Sequence, residues 1–183
     1  MIPPGPGTLL IADPFLQDPN FTRTVIFLCE HQENGSFGFV LNKKFPQTLD
    51  QLIDQADGFP LPVFHGGPVQ QDTLHFLHVF PELIPGGVEV LEDVYWGGDF
   101  ETVIDLIQQK KLDARGIRFF LGYSGWGNGQ LIDELNEKTW ITASATRKLI
   151  FHQRPSDVWQ DSLRHLGGDY AQLVHYPIDP QLN

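Results

Sequence analysis

The chain has 183 residues, enough for one domain with a sizeable core that needs neither a disulfide nor a metal to fold. Twelve Lys and Arg stand against 23 Asp and Glu, a formal charge of −11. That balance disfavours direct nucleic-acid binding, whose affinity comes largely from clustered cations on phosphates, and it repels anionic membrane surfaces. The tight basic groups, Lys43-Lys44, Lys110-Lys111 and Arg147-Lys148, are short and far apart, so only a fold that gathers them on one face would change this expectation.

From the N-terminus, Met1 to Gly7 has no positive n-region and no apolar h-region, so no signal peptide is expected. No apolar run approaches the roughly 20 residues of a membrane helix. Thr8 to Ala12 and Thr24 to Cys29 are short apolar runs bounded by Asp-Pro pairs and read as strands, the second covered on both faces. Asn34-Gly35 is a turn signal and Phe37 to Leu41 resumes a strand, which predicts a hairpin over 24–42. Thr48-Leu49-Asp50-Gln51 fits a capping box. It opens a helix carrying Leu49, Leu52, Ile53 and Ala56 that Gly58 ends. Leu74 to Phe80 and Val88 to Leu91 are further strands, separated by the Pro85-Gly86-Gly87 turn.

The rhythm then changes. Asp99 is a candidate N-cap for a helix with Phe100, Val103, Ile104 and Ile107 on one stripe and Lys110-Lys111 at its C-terminal end. Ile117 to Tyr123 reads as a strand, Gly122 to Gly129 as a glycine-rich turn, and the following residues as a helix carrying Leu131, Ile132 and Leu135. Trp140 to Ala145 reads as a strand. Pro155-Ser156 opens a last helix with Trp159, Leu163 and Leu166 inward and Gly167 as its stop. With no repeat, low-complexity tract or linker, the pattern predicts one α+β domain over 1–183, with a mixed β-sheet and about four helices.

Several motifs imitate known chemistry. Cys29 is the single cysteine, so no intramolecular disulfide forms; its apolar run marks it as a buried small hydrophobe, and a reducing, cytoplasmic setting is expected. Gly122-Tyr123-Ser124-Gly125 imitates a nucleophile elbow, but Trp126 stands where that turn needs glycine. A phosphate-cradling loop lacks its Gly-Lys-[Ser/Thr]. A dinucleotide fingerprint would need glycine where Gln130 stands and an acid near 145–149. An anion or polar-ligand pocket at the start of the helix after Gly129 stays open as an alternative to a tight turn. Gly97-Gly98-Asp99 and Gly167-Gly168-Asp169 read as glycine turns with aspartate N-caps. His75 and His78, three apart on a strand, point to opposite faces, so no metal site and no cofactor are expected. Asp133, Glu134 and Glu137 read as a solvated acidic helix face rather than acid–base machinery.

Taken in order, Gly7-Thr8-Leu9-Leu10-Ile11-Ala12, Asn20-Phe21 with Thr24-Val25, Gly38-Phe39-Val40-Leu41-Asn42, Gly66-Gly67-Pro68-Val69 and Gly122-Tyr123-Ser124-Gly125-Trp126 with Gly129-Gln130-Leu131 and Glu134 resemble the YqgE/AlgH family of small bacterial proteins. With Trp140 and Trp159 the resemblance spans nearly the whole chain. It implies a single α+β domain with a bifurcated, coiled mixed sheet, a cytoplasmic location, no established activity and a label of transcriptional regulator. The charge and the absence of a helix-turn-helix signal fit that label poorly as direct DNA binding, but leave regulation through a protein or small-molecule partner open.

The family motifs, set on the predicted elements, gather polar and glycine positions at strand ends, where pockets form. The first expectation is therefore a non-enzymatic module binding a small ligand or protein partner at a site lined by Asn20, Arg23, Asn42, Gly66, Gly67, Ser124, Trp126, Gln130 and Glu134. This requires the 65–68 and 122–130 segments to be neighbours. A hydrolase using Ser124 or a carboxylate, with His65 as base, is the alternative, and needs nucleophile and base within about 3 Å. A purely structural or oligomerising domain is the third reading, in which the glycine motifs serve packing alone.

Overall fold

A computed structural model describes residues 1–178. Its ten strands are β1 (Thr8–Ala12), β2 (Val25–Gln32), β3 (Gly35–Val40), β4 (Lys44–Thr48), β5 (Pro62–His65), β6 (Val69–His78), β7 (Val88–Leu91), β8 (Val94–Trp96), β9 (Ile117–Trp126) and β10 (Trp140–Ser144). Helices are α1 (Leu49–Leu52), α2 (Phe100–Gln108), α3 (Gln130–Asn136), α4 (Arg147–Ile150), α5 (Val158–Leu166) and α6 (Gly168–Gln172), with short 3₁₀ turns between some of them. The strands form one curled sheet in the order β10-β1-β2-β3-β9-β6-β8-β7, with β5 joined to β9 and β4 to β5. Every pairing is antiparallel except β5 with β9, so the expected mixed α+β architecture is what forms.

The sheet forks at β9. β6 runs along one edge of that strand from Ile117 to Tyr123. Along the other edge, β5 takes Phe119, Phe120 and Leu121, and β3 takes Ser124, Gly125 and Trp126. Three apolar clusters fill the spaces this creates. Leu9, Ile11, Phe27, Phe39, Phe120 and the inner faces of α4 and α5 form one; Val63, Phe76, Phe119 and the stripe Val103-Ile107 of α2 form the second; Leu10, Ile26, Leu28, Trp126, Leu131 and Trp140 form the third. Alternate residues of β1 and β2 serve the first and third clusters, which is why both strands read as unbroken apolar runs.

Several local expectations are corrected. The glycine-rich turn expected from Gly122 is confined to Gly127–Gly129, because residues 124–126 pair with Ser36–Gly38 and continue β9. The helix expected from Leu49 breaks at Ile53, whose φ of −135° and ψ of 131° are extended, and resumes as a 3₁₀ turn at Asp54–Ala56. The Thr48–Gln51 capping box forms. Asp99 caps α2 by accepting from the Glu101 N–H, whereas Asp169 lies inside α6 with Gly167 at the cap position. β4, β5 and β8 carry little sequence signal: each is short, β4 has Pro46 inside and β5 opens on Pro62; β4 pairs with β5, β5 finds its second partner in the distant β9, and β8 pairs with the adjacent β7 and with β6.

Candidate functional site

The 65–68 and 122–130 segments are direct neighbours. Gly66 donates its N–H to the Leu121 carbonyl at 2.8 Å, and its own carbonyl accepts from the Val40 N–H at 2.9 Å. The Ser124 hydroxyl, fully buried, donates to the same Gly66 carbonyl at 3.1 Å. A side chain at Gly66 would overlap the Gly122 carbonyl, and one at Gly67 would overlap the Tyr123–Ser124 backbone. These residues close the fork where β3, β5 and β9 meet.

The other predicted positions form two separate groups. Asn42 clamps the chain by accepting from the Val25 N–H at 3.0 Å and donating to the Arg23 carbonyl at 2.8 Å. The Arg23 guanidinium lies 4.4 Å from the Trp159 ring centroid and donates to the Tyr176 carbonyl, and the Asn20 carbonyl accepts from Lys43 Nζ at 2.6 Å. In the third cluster, Glu134 Oε2 accepts both the Trp126 and Trp140 indole N–H groups, at 2.9 and 2.8 Å, and its Oε1 accepts from Gln130 at 3.1 Å. Gln130 also accepts the Gly127 N–H. Glu134 is thus held between indoles and does not belong to a solvated acidic face.

One of the nine positions, Trp126, lines a sizeable cavity. That cavity, about 560 Å³ and open to solvent, is bounded by Glu30, Ser36 and Phe37 of the β2–β3 hairpin, Val69 and His75 of β6, Trp96 of β8, and Tyr123, Gly125 and Trp126 of β9. Its aromatic wall is continuous. Phe37 meets the Trp96 ring at 4.9 Å and the Tyr123 ring at 6.0 Å, while His75 lies 6.0 Å from Tyr123 and 6.4 Å from Trp96. All four rings are half-buried.

Two breaks in strand alternation build this wall. In β2, Leu28 opposes Gly38 but Glu30 opposes Phe37, so Cys29 is an extra residue. This bulge turns Glu30 from the side of Leu28 to the side of Phe37. In β9, Phe120 packs into the first cluster, and regular alternation would send Tyr123 to the other face. Gly122 has φ of +69°, a left-handed conformation natural to glycine, and the parity reverses so that Tyr123 joins Phe37 and Trp96. Gly125 opposes Phe37 and leaves the floor of the cavity bare. Sequence reasoning missed Glu30, Phe37, His75 and Trp96 because neither break is visible as a pattern. Tyr123 lies inside a family motif, but regular alternation along β9 puts it on the face away from Phe37 and Trp96.

Electrostatically the cavity carries one formal charge, from Glu30. Burial lowers the His75 imidazole below its ordinary value, and no Lys or Arg lines the wall. The ion pairs among the described residues are Arg115–Asp113, His152–Asp161, Arg154–Asp157 and Arg164–Asp161, so Glu30 has no cationic partner there. Ser124, the nucleophile of the hydrolase alternative, has a backbone carbonyl as its hydrogen-bond partner and no contact with solvent. α3 has seven residues, too short for its start to make an anion site by itself. Burial and Glu30 push the Cys29 thiol up, away from thiolate chemistry. Of the basic pairs, Lys43 is engaged by backbone carbonyls, and Arg147-Lys148 borders a recess shared with Asp161. No helix among the described residues is long and apolar enough to cross a membrane.

The fork, the glycine approaches and the indole clamp account physically for the motifs around Gly66-Gly67 and from Gly122 to Glu134. Protein DIP2367 from Corynebacterium diphtheriae has the same fold, with a TM-score of 0.81 at 23% identity over 96% of this chain and 94% of that one. The solution structure of AlgH from Pseudomonas aeruginosa matches with a TM-score of 0.74 at 27% identity, over 97% and 98% of the two chains. UPF0301 proteins from Cytophaga hutchinsonii and Chlorobium limicola are 45% and 43% identical over 178 residues, covering 97% of this chain and 98% and 95% of theirs. The AlgH-like family model matches residues 9–171, and the chain therefore belongs to the AlgH-like family.

Proposed function

We propose that this protein is a non-enzymatic regulatory module that takes a small ligand, or a side chain presented by a protein partner, into the aromatic cavity. The observation that carries this reading is the half-buried wall of Phe37, His75, Trp96 and Tyr123 around a solvent-open cavity of about 560 Å³, within the range of small-molecule sites. Apolar rings left part-exposed on a concave surface gain free energy when an occupant covers them. The nine positions expected from the motifs enter as the frame: Trp126 as part of the wall, and Gly66, Gly67 and Ser124 as the fork that holds β3 against β9. Asn20, Arg23 and Asn42 secure the loop before β2, and Gln130 and Glu134 hold Trp126 in place. The charge of −11 favours a partner other than nucleic acid, and a single reduced, buried Cys29 suits the cytoplasm.

The test is a thermal-shift screen of chemically mixed fragments, followed by tryptophan-fluorescence titration and repeated on Gly125→Leu. Gly125 is exposed on the cavity lining, and a side chain there would meet only other lining side chains, the Tyr123 ring at 3.3 Å and Val69 at 3.8 Å, so a leucine occupies the cavity floor. Fragments that raise the melting temperature of the wild type and not of the folded variant support the reading. A screen without hits, or hits indifferent to the leucine, overturns it.

A further inference from the structure

The cavity's chemistry narrows its occupant, on the condition that the cavity is a binding site as proposed above. Faces of Trp, Tyr and Phe attract cations through their ring quadrupoles, and a desolvated cation gains more from them than an exposed one. Here Phe37, Trp96 and Tyr123 share the lining with a single half-buried carboxylate, Glu30, which lacks any cationic partner among the described residues. The bulge at Cys29 is what brings that carboxylate to the aromatic side; in regular alternation it would lie with Leu28 on the opposite face. Lys and Arg are absent from the lining, and burial holds its one imidazole, His75, towards the neutral form, so an anionic ligand would meet Glu30 without a lysine or arginine to offset it. We infer that the cavity binds an organic cation, an alkylated or quaternary ammonium group seated against the Phe37, Trp96 and Tyr123 rings with Glu30 as its counter-charge.

Choline and its uncharged carbon isostere 3,3-dimethylbutan-1-ol separate this inference from simple apolar binding, because they share shape and differ in charge. Both are titrated into the full chain at constant ionic strength while two-dimensional amide NMR follows the lining residues. The expected result is choline binding at least about fivefold tighter than the alcohol, with shifts centred on residues 30, 35–37, 96 and 123–126. Glu30→Gln then weakens choline about fivefold and leaves the alcohol unchanged. Glu33→Gln, which removes an equal charge from the exposed tip of the same hairpin, leaves both unchanged and so excludes general attraction to an acidic protein. Trp96→Leu, which keeps Glu30 and removes one ring face, weakens choline more than the alcohol.

Equal affinity for the two probes overturns the cationic ligand and leaves the cavity as an apolar site. Equal losses in the Glu30 and Glu33 variants, or choline shifts away from the lining, also overturn it. If neither probe perturbs the lining the cationic ligand is refuted, and the fragment screen decides independently whether the cavity binds anything at all.

Discussion

Removing the Glu134 carboxylate probes the third apolar cluster at its weakest point. One oxygen of this side chain accepts two indole N–H groups, from Trp126 and Trp140, which are 6% and 1% exposed. Hydrogen bonds to a charged acceptor contribute about 1.5–3 kcal/mol each, and a buried donor left unpaired costs about 1–3 kcal/mol. Glu134→Ala leaves both indole N–H groups without their acceptor behind a half-buried position, so a loss of roughly 4 kcal/mol is expected. For a chain of this length each kcal/mol moves the melting temperature by about 2–4 °C, which gives a drop of about 8–16 °C. Glu134→Gln keeps an acceptor oxygen in place without the charge and should fall by about half as much. Thermal and urea unfolding followed by far-ultraviolet circular dichroism measures both variants without relying on the tryptophans being perturbed. An alanine variant melting within about 2 °C of the wild type would show that the clamp contributes nothing, and a glutamine variant as damaged as alanine would show that geometry rather than acceptor loss dominates.

Gly67→Ala should abolish soluble, folded protein, since its methyl group would overlap the Tyr123–Ser124 backbone at the fork; Gly127→Ala, with nothing within 4 Å, should leave the melting temperature nearly unchanged. Circular dichroism of the two purified variants checks this, and a well-folded Gly67→Ala would refute the close approach. Acidification should destabilise the protein through His78, which is fully buried, places Nε2 2.9 Å from the Gly97 carbonyl and accepts the Phe80 N–H at Nδ1, an arrangement that suits the neutral ring. Burial lowers its folded value below the unfolded one near 6.5, so the unfolded chain binds the proton first. Its contribution is fully present above about pH 6.5 and declines as the pH falls below that, by at most about 1.4 kcal/mol per unit. Urea titrations between pH 5 and 7.5 should show this slope reduced in His78→Gln, and an unchanged slope would remove His78 as the cause.

Taken alone, the sequence determined the elements whose signals are local. Asp99 announced α2 because a carboxylate at that position accepts a free N–H of the first turn, and Asn34-Gly35 announced the β2–β3 hairpin, although the turn itself falls on Glu33-Asn34 and Gly35 opens β3 opposite Gln32. The motif set likewise identified the family, and the apolar runs disclosed β1 and β2 as strands and the second as covered on both faces; that β1 is buried on both faces as well came from the fold. What lay beyond local signals was decided by partners distant in the chain. β9 continues to Trp126 because β3, some 90 residues earlier, supplies hydrogen bonds to residues that read as a turn. β4 and β5 exist because β9 offers β5 a parallel edge. The role of the motif residues changed for the same reason: Gly66, Gly67 and Ser124 meet at the fork through backbone approaches that only the folded chain creates. The cavity depends on tertiary structure most of all. A one-residue bulge and a left-handed glycine each reverse a side-chain parity of two, and a reversal of that kind is set by strand register, which composition and periodicity do not record.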